Sequence, residues 1–304
     1  MSLIVVCGAT ATGKSELALN LAQRFDGEIV NADSMQIYRG MNIGTAKLDI
    51  DQRQGIAHHL LDVLDVHQDS SVAWYQNAAR AAIADIQGRG KCAIVVGGTG
   101  LYIKSILDEL NFPDTNPEVR QGLEKELEDI GLDALYERLA RLDPAAAIAI
   151  DRANARRVIR ALEVIAITGK AFTANLPREE STRYPNAQQF ALVMDRQRLD
   201  ERISARVDRM WDLGFVGEVD ALMNAGITNG RTAQLALGYS QIIAFRKGLM
   251  SQDEAREETK RSTRAYARRQ ETWFSRDSRI TWISPLQPRL ETVLAHLEKI
   301  NLTR

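Results

Sequence analysis

The sequence is poor in the residues from which disulfide frameworks and zinc sites are built, with two cysteines and four histidines in 304 residues. Two thiols make no disulfide framework, and Cys7 and Cys92 each fall in a strand-like apolar run, where a buried thiol behaves as a small hydrophobe. His58 and His59 are adjacent, so their side chains diverge in a strand or a helix and cannot easily chelate one ion. A structural, hydrogen-bonding pair is expected there. Net charge is nearly absent: 39 Lys and Arg against 40 Asp and Glu leave −1. That excludes polyanion binding through overall charge and confines any nucleic-acid contact to local basic patches. No apolar run approaches the length of a membrane span, and residues 1–7 lack the charged flank and cleavage region of a signal peptide. A cytoplasmic location with no membrane association is therefore expected. A hydrophobic content of 45% allows a sizeable core in one large or two modest domains.

What is present is organised around the first fifteen residues. Leu3-Ile4-Val5-Val6-Cys7 reads as a buried parallel strand, and Gly8-Ala9-Thr10-Ala11-Thr12-Gly13-Lys14-Ser15 fits the spacing G-x-x-x-x-G-K-[ST] of a phosphate-binding loop. Gly8 and Gly13 allow a tight turn that brings backbone N–H groups to a phosphate at the positive end of the next helix. Lys14 supplies a mobile charge, and the Ser15 hydroxyl is placed to ligate Mg²⁺. Leu17, Leu21 and Phe25, with Ala18 and Ala22, form the apolar stripe of a helix starting where the motif needs one. The segment specifies a phosphate without naming the compound that carries it.

A second strand, Glu28 to Ala32, ends in Asp33-Ser34-Met35-Gln36. Strand ends are where α/β proteins place chemistry, and Asp33 is either a turn former or a carboxylate facing the ligand, as a base or through magnesium. A helix carrying Tyr75, Ala79, Ile83 and Ile86 stops at Gly88-Arg89-Gly90, and the strand Cys92 to Val96 ends in Gly97-Gly98-Thr99-Gly100. Nucleotide hydrolases often carry a magnesium-binding aspartate at that place; its absence argues against a motor or switch ATPase. Thr99 is a helix N-cap, a hydroxyl offered to phosphate or base, or both.

After the linker-like Asn111 to Pro117 the strands vanish. Two amphipathic helices follow, one closed by Gly131 and one ending at Asp143-Pro144; a third runs from about Ala155 to Thr168 and is closed by Gly169. Val158, Leu162 and Ile165 face inward on it, while Arg156, Arg157 and Arg160 share another face. That face either engages phosphates or is a solvated surface paired to Glu163 or Asp151. Lys170 to Asn186, with Pro177 and Pro185, reads as a returning loop. The expected organisation is an α/β domain with a parallel sheet flanked by helices, 1–112 and 188–304, interrupted by an all-helical insertion, 113–187. Strand signals resume at Gln189 to Met194, and the next helix turns Ile203, Val207 and Met210 inward. Arg202 and Arg206 recur on it at i, i+4, as surface charges or a diphosphate clamp. Gly238-Tyr239 opens a further helix. The densest basic run, Lys260 to Gln270, holds Arg261, Arg264 and Arg268 at helical spacing with aromatics among them, which suits RNA.

Together these stretches resemble the tRNA dimethylallyltransferase (tRNA isopentenyltransferase) family of bacterial type, over nearly the whole chain. The carriers are Gly8 to Ser15, Asn31 to Met41 with Ile43 to Lys47, His58-His59-Leu60 with Asp62, Gly97 to Tyr102, Asn154 to Glu163, Gly238-Tyr239, and Tyr266 to Gln270 with Thr272-Trp273-Phe274. Ala9, Ala57 and Ser240 depart from the family's usual proline, proline and basic residue. The resemblance implies a P-loop NTPase-like fold and transfer of the five-carbon group of dimethylallyl diphosphate to N6 of adenosine 37 of tRNA. It further implies that Lys14, Arg202 and the loop Gly8, Ala9, Thr10, Ala11, Thr12 and Gly13 hold the diphosphate, with Mg²⁺ through Ser15. Asp33 would act as base, with Thr99 positioning the reactants. Asp33, Ser34, Met35 and Gln36 would read the base. Arg156, Arg157, Val158, Ile159, Arg160, Gly238, Tyr239, Arg264 and Arg268 would contact the anticodon stem-loop of tRNA, the enzyme being a monomer. The rival expectations are an adenylate isopentenyltransferase acting on free nucleotide, a P-loop kinase of a small metabolite, and a non-catalytic RNA-binding switch.

Overall fold

The computed structural model describes residues 3–113, 115–175 and 181–300; Asp114 of the expected linker and Pro177 of the expected return loop lie outside the described residues. Six strands, β1 (Leu3–Cys7), β2 (Gly27–Asn31), β3 (His58–His59), β4 (Cys92–Val96), β5 (Gln188–Leu192) and β6 (Ile280–Ile283), form one sheet in the order β3-β2-β4-β1-β5-β6. Every pairing in it is parallel. β1 stands inside the sheet and is buried along its whole length, which is why its five residues are apolar without alternation.

Eleven α-helices lie among the described residues: α1 (Lys14–Arg24), α2 (Val72–Gly88), α3 (Gly100–Leu107), α4 (Pro117–Leu142), α5 (Pro144–Ala149), α6 (Ala155–Thr168), α7 (Arg196–Asp212), α8 (Phe215–Asn224), α9 (Tyr239–Arg246), α10 (Gln252–Phe274) and α11 (Arg289–Lys299). One face of the sheet, with Val5, Val30 and Val95, packs on Tyr75 and Ile83 of α2, Ile103 of α3 and Phe274 of α10. The other, with Ile4, Ile29 and Phe190, packs on Leu17 and Leu21 of α1 and Leu297 of α11. β1 therefore feeds a helix on one face, and its neighbour β4 feeds α3 on the other. In open parallel sheets that reversal opens a crevice beyond the strand ends, and here the phosphate loop and the Gly97–Gly100 turn border it. A further core joins α7 to α10 with Ile37, Tyr38 and Met41 of the segment after β2.

The chain divides into two compact units, residues 1–107 with 184–304, and 108–183. The expected boundaries, 112/113 and 187/188, differ from these by a few residues for a visible reason. Asp108 and Thr182 form an antiparallel bridge and the Glu109 amide donates to the Ser181 carbonyl, so the outgoing and returning segments pair before the first helix of the insertion starts. Among its described residues the smaller unit is helical, with Leu123, Leu135, Leu139, Val158 and Leu162 in its core. α4 breaks at Gly131 (φ 79°, ψ 166°), and α6 ends on Gly169 in the left-handed region, a conformation glycine adopts without steric cost.

β3 and β6 have no counterpart in the sequence pattern. β3 is two residues long, and β6 is an edge strand in which Ile280 and Ile283 are buried while Trp282 is exposed. No helix among the described residues is long and apolar enough to cross a membrane.

Candidate active site

The phosphate loop is shaped by backbone conformations that only its glycines adopt freely: Gly8 has φ 119° and Gly13 φ 95°, while Ala11, at φ 64°, occupies the left-handed region as a non-glycine. The Ala9 carbonyl accepts from the Thr12 hydroxyl at 2.8 Å and from Lys14 Nζ at 2.6 Å. Thr12 is thus turned inward as a brace, and Lys14 is folded against its own loop. Burial lowers the Lys14 pKa to about 8; nearby Arg206 acts in the same direction and Asp33 opposes it. Arg206 Nη1 donates to the Thr10 hydroxyl at 3.3 Å, and its own pKa is lowered, first by burial and then by Arg202. Two half-buried cations that raise each other's energy form a site that an anion would relax. The Thr10 amide differs from the expectation of a free phosphate donor, because it donates to Gln270 Oε1 at 2.8 Å. Ser15 is exposed at the second residue of α1, where its hydroxyl is accessible to a cation.

The Asp33 segment is held from below by Asn31. Asn31 Oδ1 accepts from the Asp33 amide at 3.1 Å, and Nδ2 donates to the Asp33 and Leu60 carbonyls, each at 3.0 Å. Asp33 Oδ1 accepts from the amides of Met35 (2.8 Å) and Gln36 (3.3 Å). The residue is therefore a turn former, and it also lines the central cavity. Thr99 Oγ1 accepts from the Ser34 amide at 3.1 Å, while the Tyr102 and Ile103 amides go to the Thr99 carbonyl. Its hydroxyl ties the turn after β4 to the Asp33 segment instead of capping α3. The glycines of that turn answer to close approach: an added Cβ would lie 2.2 Å from the Ala32 oxygen at Gly97, 2.1 Å from Gln270 Nε2 at Gly98 and 2.1 Å from Trp273 at Gly100.

A cavity of about 310 Å³ opens beside these groups. Thr10, Arg206, Asp33 and Ser34 form its polar part, and Val207, Met210, Phe215, Leu235 and Ala236 supply apolar wall. Arg206 and Met210 are one turn apart on α7. Thr259, Thr263, Tyr266 and Arg269 follow one face of α10, so the cavity extends along two helices away from the phosphate loop. Glu218 of α8 fastens one side. It accepts from the amides of Asn42 (3.1 Å), Ile43 (2.7 Å) and Gly44 (3.3 Å) and from the Tyr239 hydroxyl at 2.6 Å. Burial and then the Glu218 charge push the Tyr239 pKa far up, so the phenol stays a donor.

The remaining expected contacts separate by exposure. Ser34 and Met35 line the cavity, whereas Gln36 donates to the Thr45 carbonyl at 3.0 Å. Arg202 is exposed on α7, and Arg206 is the member of the pair that touches the loop. Gly238 caps α9, and Tyr239 faces the interior. Arg264 donates to Ser204 at 3.2 Å in a groove that also holds Asp195, Asp200 and Glu201, and Arg268 is exposed. In the smaller unit Arg156 and Arg157 are exposed, but Val158 and Ile159 are buried in its core, which removes both side chains as RNA contacts. Arg160 Nη1 donates to Glu163 at 2.9 Å and Nη2 to the Pro113 carbonyl at 2.7 Å. His59 bonds Glu28 at 2.7 Å, and His58 bonds the Ile56 carbonyl at 2.9 Å. Gln270, Glu218 and Asn31 were not distinguished as site residues by sequence. The signals for Gln270 are its place in the Tyr266–Gln270 stretch that carries the resemblance and on the Tyr266 face of α10, one turn further along.

The family model described as IPP transferase matches residues 36–277, and one described as isopentenyl transferase matches residues 1–68. The tRNA dimethylallyltransferase of Streptomyces griseus is 54% identical over 281 residues, covering 92% of this chain and 89% of its own length. That of Thermobifida fusca is 54% identical over 287 residues, covering 93% and 89%. The crystal structure of the full-length tRNA isopentenylpyrophosphate transferase of Bacillus halodurans is similar with a TM-score of 0.73 at 35% identity, over 99% of this chain and 96% of that one. A eukaryotic dimethylallyltransferase acting on tRNA reaches a TM-score of 0.85 at 26% identity, over 99% and 79%. Identity above one half, sustained across almost the whole of both sequences, leaves one assignment: the chain belongs to the tRNA dimethylallyltransferase family.

Proposed function

We propose that this chain transfers the dimethylallyl group of dimethylallyl diphosphate to N6 of the adenosine at tRNA position 37, beside the anticodon, and releases diphosphate. The observation that carries the reading is a cavity in which Thr10 of the phosphate loop, the Arg206 guanidinium, the Asp33 carboxylate and an apolar wall adjoin, matching a charged leaving group, an amine proton and a branched five-carbon chain. The bond from the allylic carbon to the diphosphate oxygen breaks, the bond from N6 to that carbon forms, and the N6 proton passes to Asp33. Lys14 and Arg206, with the exposed Arg202 one turn from Arg206, stabilise charge growing on the leaving group. An adenine amine is a poor nucleophile, so orientation by Asp33, Ser34 and Thr99 supplies much of the rate. The target base has to leave the RNA stack to reach such a cavity.

The donor set suits Mg²⁺, which keeps most of its ligands as phosphate oxygens and water and needs little from the protein. Ser15 would hold it, and bound there it would neutralise leaving-group charge. The same proposal includes the anticodon stem-loop as partner, a monomer, and the cytoplasm as the place of action. A small-molecule kinase is disfavoured by the turn after β4, where glycines and Thr99 stand in place of a magnesium-binding aspartate.

The test is nucleoside mass spectrometry of unmodified bacterial tRNA incubated with the protein, dimethylallyl diphosphate and magnesium, with ATP and magnesium in parallel. An isopentenyladenosine peak is expected. Asp33→Ala should lower turnover by about 10²–10⁴-fold, the range of a general base, with tRNA affinity largely intact. Near-wild-type turnover would remove Asp33 from the mechanism, and consumption of ATP in place of prenyl transfer would overturn the reaction.

A further inference from the structure

Gln270 lies on α10, is only 5% exposed, and takes no part in the chemistry above. Its Oε1 accepts from the Thr10 amide at 2.8 Å, and its Nε2 donates to the Gly98 carbonyl at 2.8 Å. These partners belong to two loops with different tasks. Thr10 is in the phosphate loop after β1. Gly98 precedes Thr99, whose hydroxyl holds the Ser34 amide beside Asp33. Direct backbone bonding between β1 and β4 reaches only as far as the Gly97 amide on the Val6 carbonyl, at 3.2 Å; past that point the two loops diverge around the crevice. Gln270 spans them where the sheet no longer does.

We propose that Gln270 is a positioning residue: its carboxamide fixes the spacing between the loop that holds the leaving group and the turn that holds the accepting base. The inference rests on the reading of the phosphate loop as the diphosphate site. A carboxamide suits the task because it offers an acceptor to an amide and a donor to a carbonyl from one planar group. The bond to Gly98 is buried and the bond to Thr10 is partly so, and a shielded bond constrains more than one at the surface. Gly98 is part of the device, since an added Cβ would lie 2.1 Å from Nε2 and displace it. Transfer between a departing oxygen and an attacking nitrogen requires the allylic carbon to sit between them at near-attack distance. A misplacement of about 1 Å can cost on the order of 10²-fold in rate.

The experiment compares wild type, Gln270→Met, Gly98→Ala, the double variant and Lys14→Ala. Gln270→Met keeps the side-chain length and removes both hydrogen bonds. Three quantities are read: the single-turnover rate of transfer at saturating tRNA and dimethylallyl diphosphate, affinity for unmodified tRNA, and affinity for inorganic diphosphate with magnesium. Thermal unfolding confirms that each variant is folded at the assay temperature. Gln270→Met should lower the single-turnover rate by about 10–10²-fold while tRNA affinity stays within about twofold. Gly98→Ala should reproduce the defect, and the double variant should be no slower than the worse single one, because both remove the same tie. An unchanged rate in Gln270→Met overturns the proposal, as do multiplying effects in the double variant. A loss of tRNA affinity that accounts for the rate would make Gln270 an RNA contact instead. Lys14→Ala separates the two levels. If it leaves diphosphate binding intact, the underlying site assignment fails; if it abolishes binding while Gln270→Met transfers normally, only the positioning role fails.

Discussion

Lys14 has two demands to reconcile, a half-buried position that disfavours its charge and a ligand that requires it. Burial, reinforced by Arg206 and opposed by Asp33, brings its pKa down to about 8 in the free protein. A bound diphosphate favours the charged form and raises that pKa, so binding takes up a proton wherever the free lysine has lost one. The sign follows: this lysine contributes no pH dependence well below 8, and affinity for the diphosphate falls as pH rises through about 8. Calorimetric titration with dimethylallyl diphosphate at pH 7, 8 and 9, without tRNA, should show that fall. Lys14→Met should remain weak at all three values, and the comparison cancels the titration of the ligand itself. The neighbouring arginines show what residue-level sequence reading leaves open. Arg202 and Arg206 share a helical face and are equivalent by spacing. Only the packing of α7 against a loop almost two hundred residues earlier selects Arg206 as the one that reaches Thr10, at 3.3 Å.

At the scale of elements, the turn after β4 is set by what presses on it from three sides. Gly97 faces the Ala32 backbone, Gly98 the Gln270 carboxamide and Gly100 the Trp273 ring. Side chains can shift, but a neighbouring strand's carbonyl cannot. Gly97→Ala, with its Cβ 2.2 Å from the Ala32 oxygen, should therefore destabilise the fold by about 1–3 kcal/mol, the usual cost of overpacking. Urea unfolding measures this directly, and an unchanged midpoint would show that β2 and β4 can separate at their ends. The elements that carry strong local patterns were legible in sequence. The apolar run of β1, the glycine spacing of the phosphate loop, the stripe of α1 and the glycine that ends α6 each act through neighbours in the chain. β3 and β6 were not, because a two-residue strand and a four-residue edge strand carry too little pattern to stand out from loop. Nor was the tie between α8 and the Asn42–Gly44 segment: Glu218 meets amides some 175 residues away in sequence, and a lone glutamate on a helix announces nothing.

At the scale of the whole molecule, a chain of net charge −1 has to engage RNA through local clusters, and exposure decides which arginines can take part. The run at the start of α6 looks uniform in sequence and divides in the structure. Arg156 and Arg157 are exposed, whereas Arg160 is bound to Glu163, which is fully buried and is also 3.5 Å from Arg120. The two kinds of arginine should fail differently. Arg157→Ala, if its guanidinium meets a phosphate, should weaken tRNA binding and reduce the slope of log K against log salt by about 1, with diphosphate affinity unchanged. Arg160→Ala strips a buried carboxylate of one of its two cations. It should cost about 1–3 kcal/mol in the unfolding of the smaller unit and leave the salt slope of tRNA binding alone. Filter binding over a range of salt concentrations and urea unfolding, applied to both variants, separate the outcomes. A slope unchanged in Arg157→Ala returns that residue to the solvated surface. A slope that falls in Arg160→Ala with unfolding unaffected would mean that its ion pair with Glu163 opens to admit the RNA.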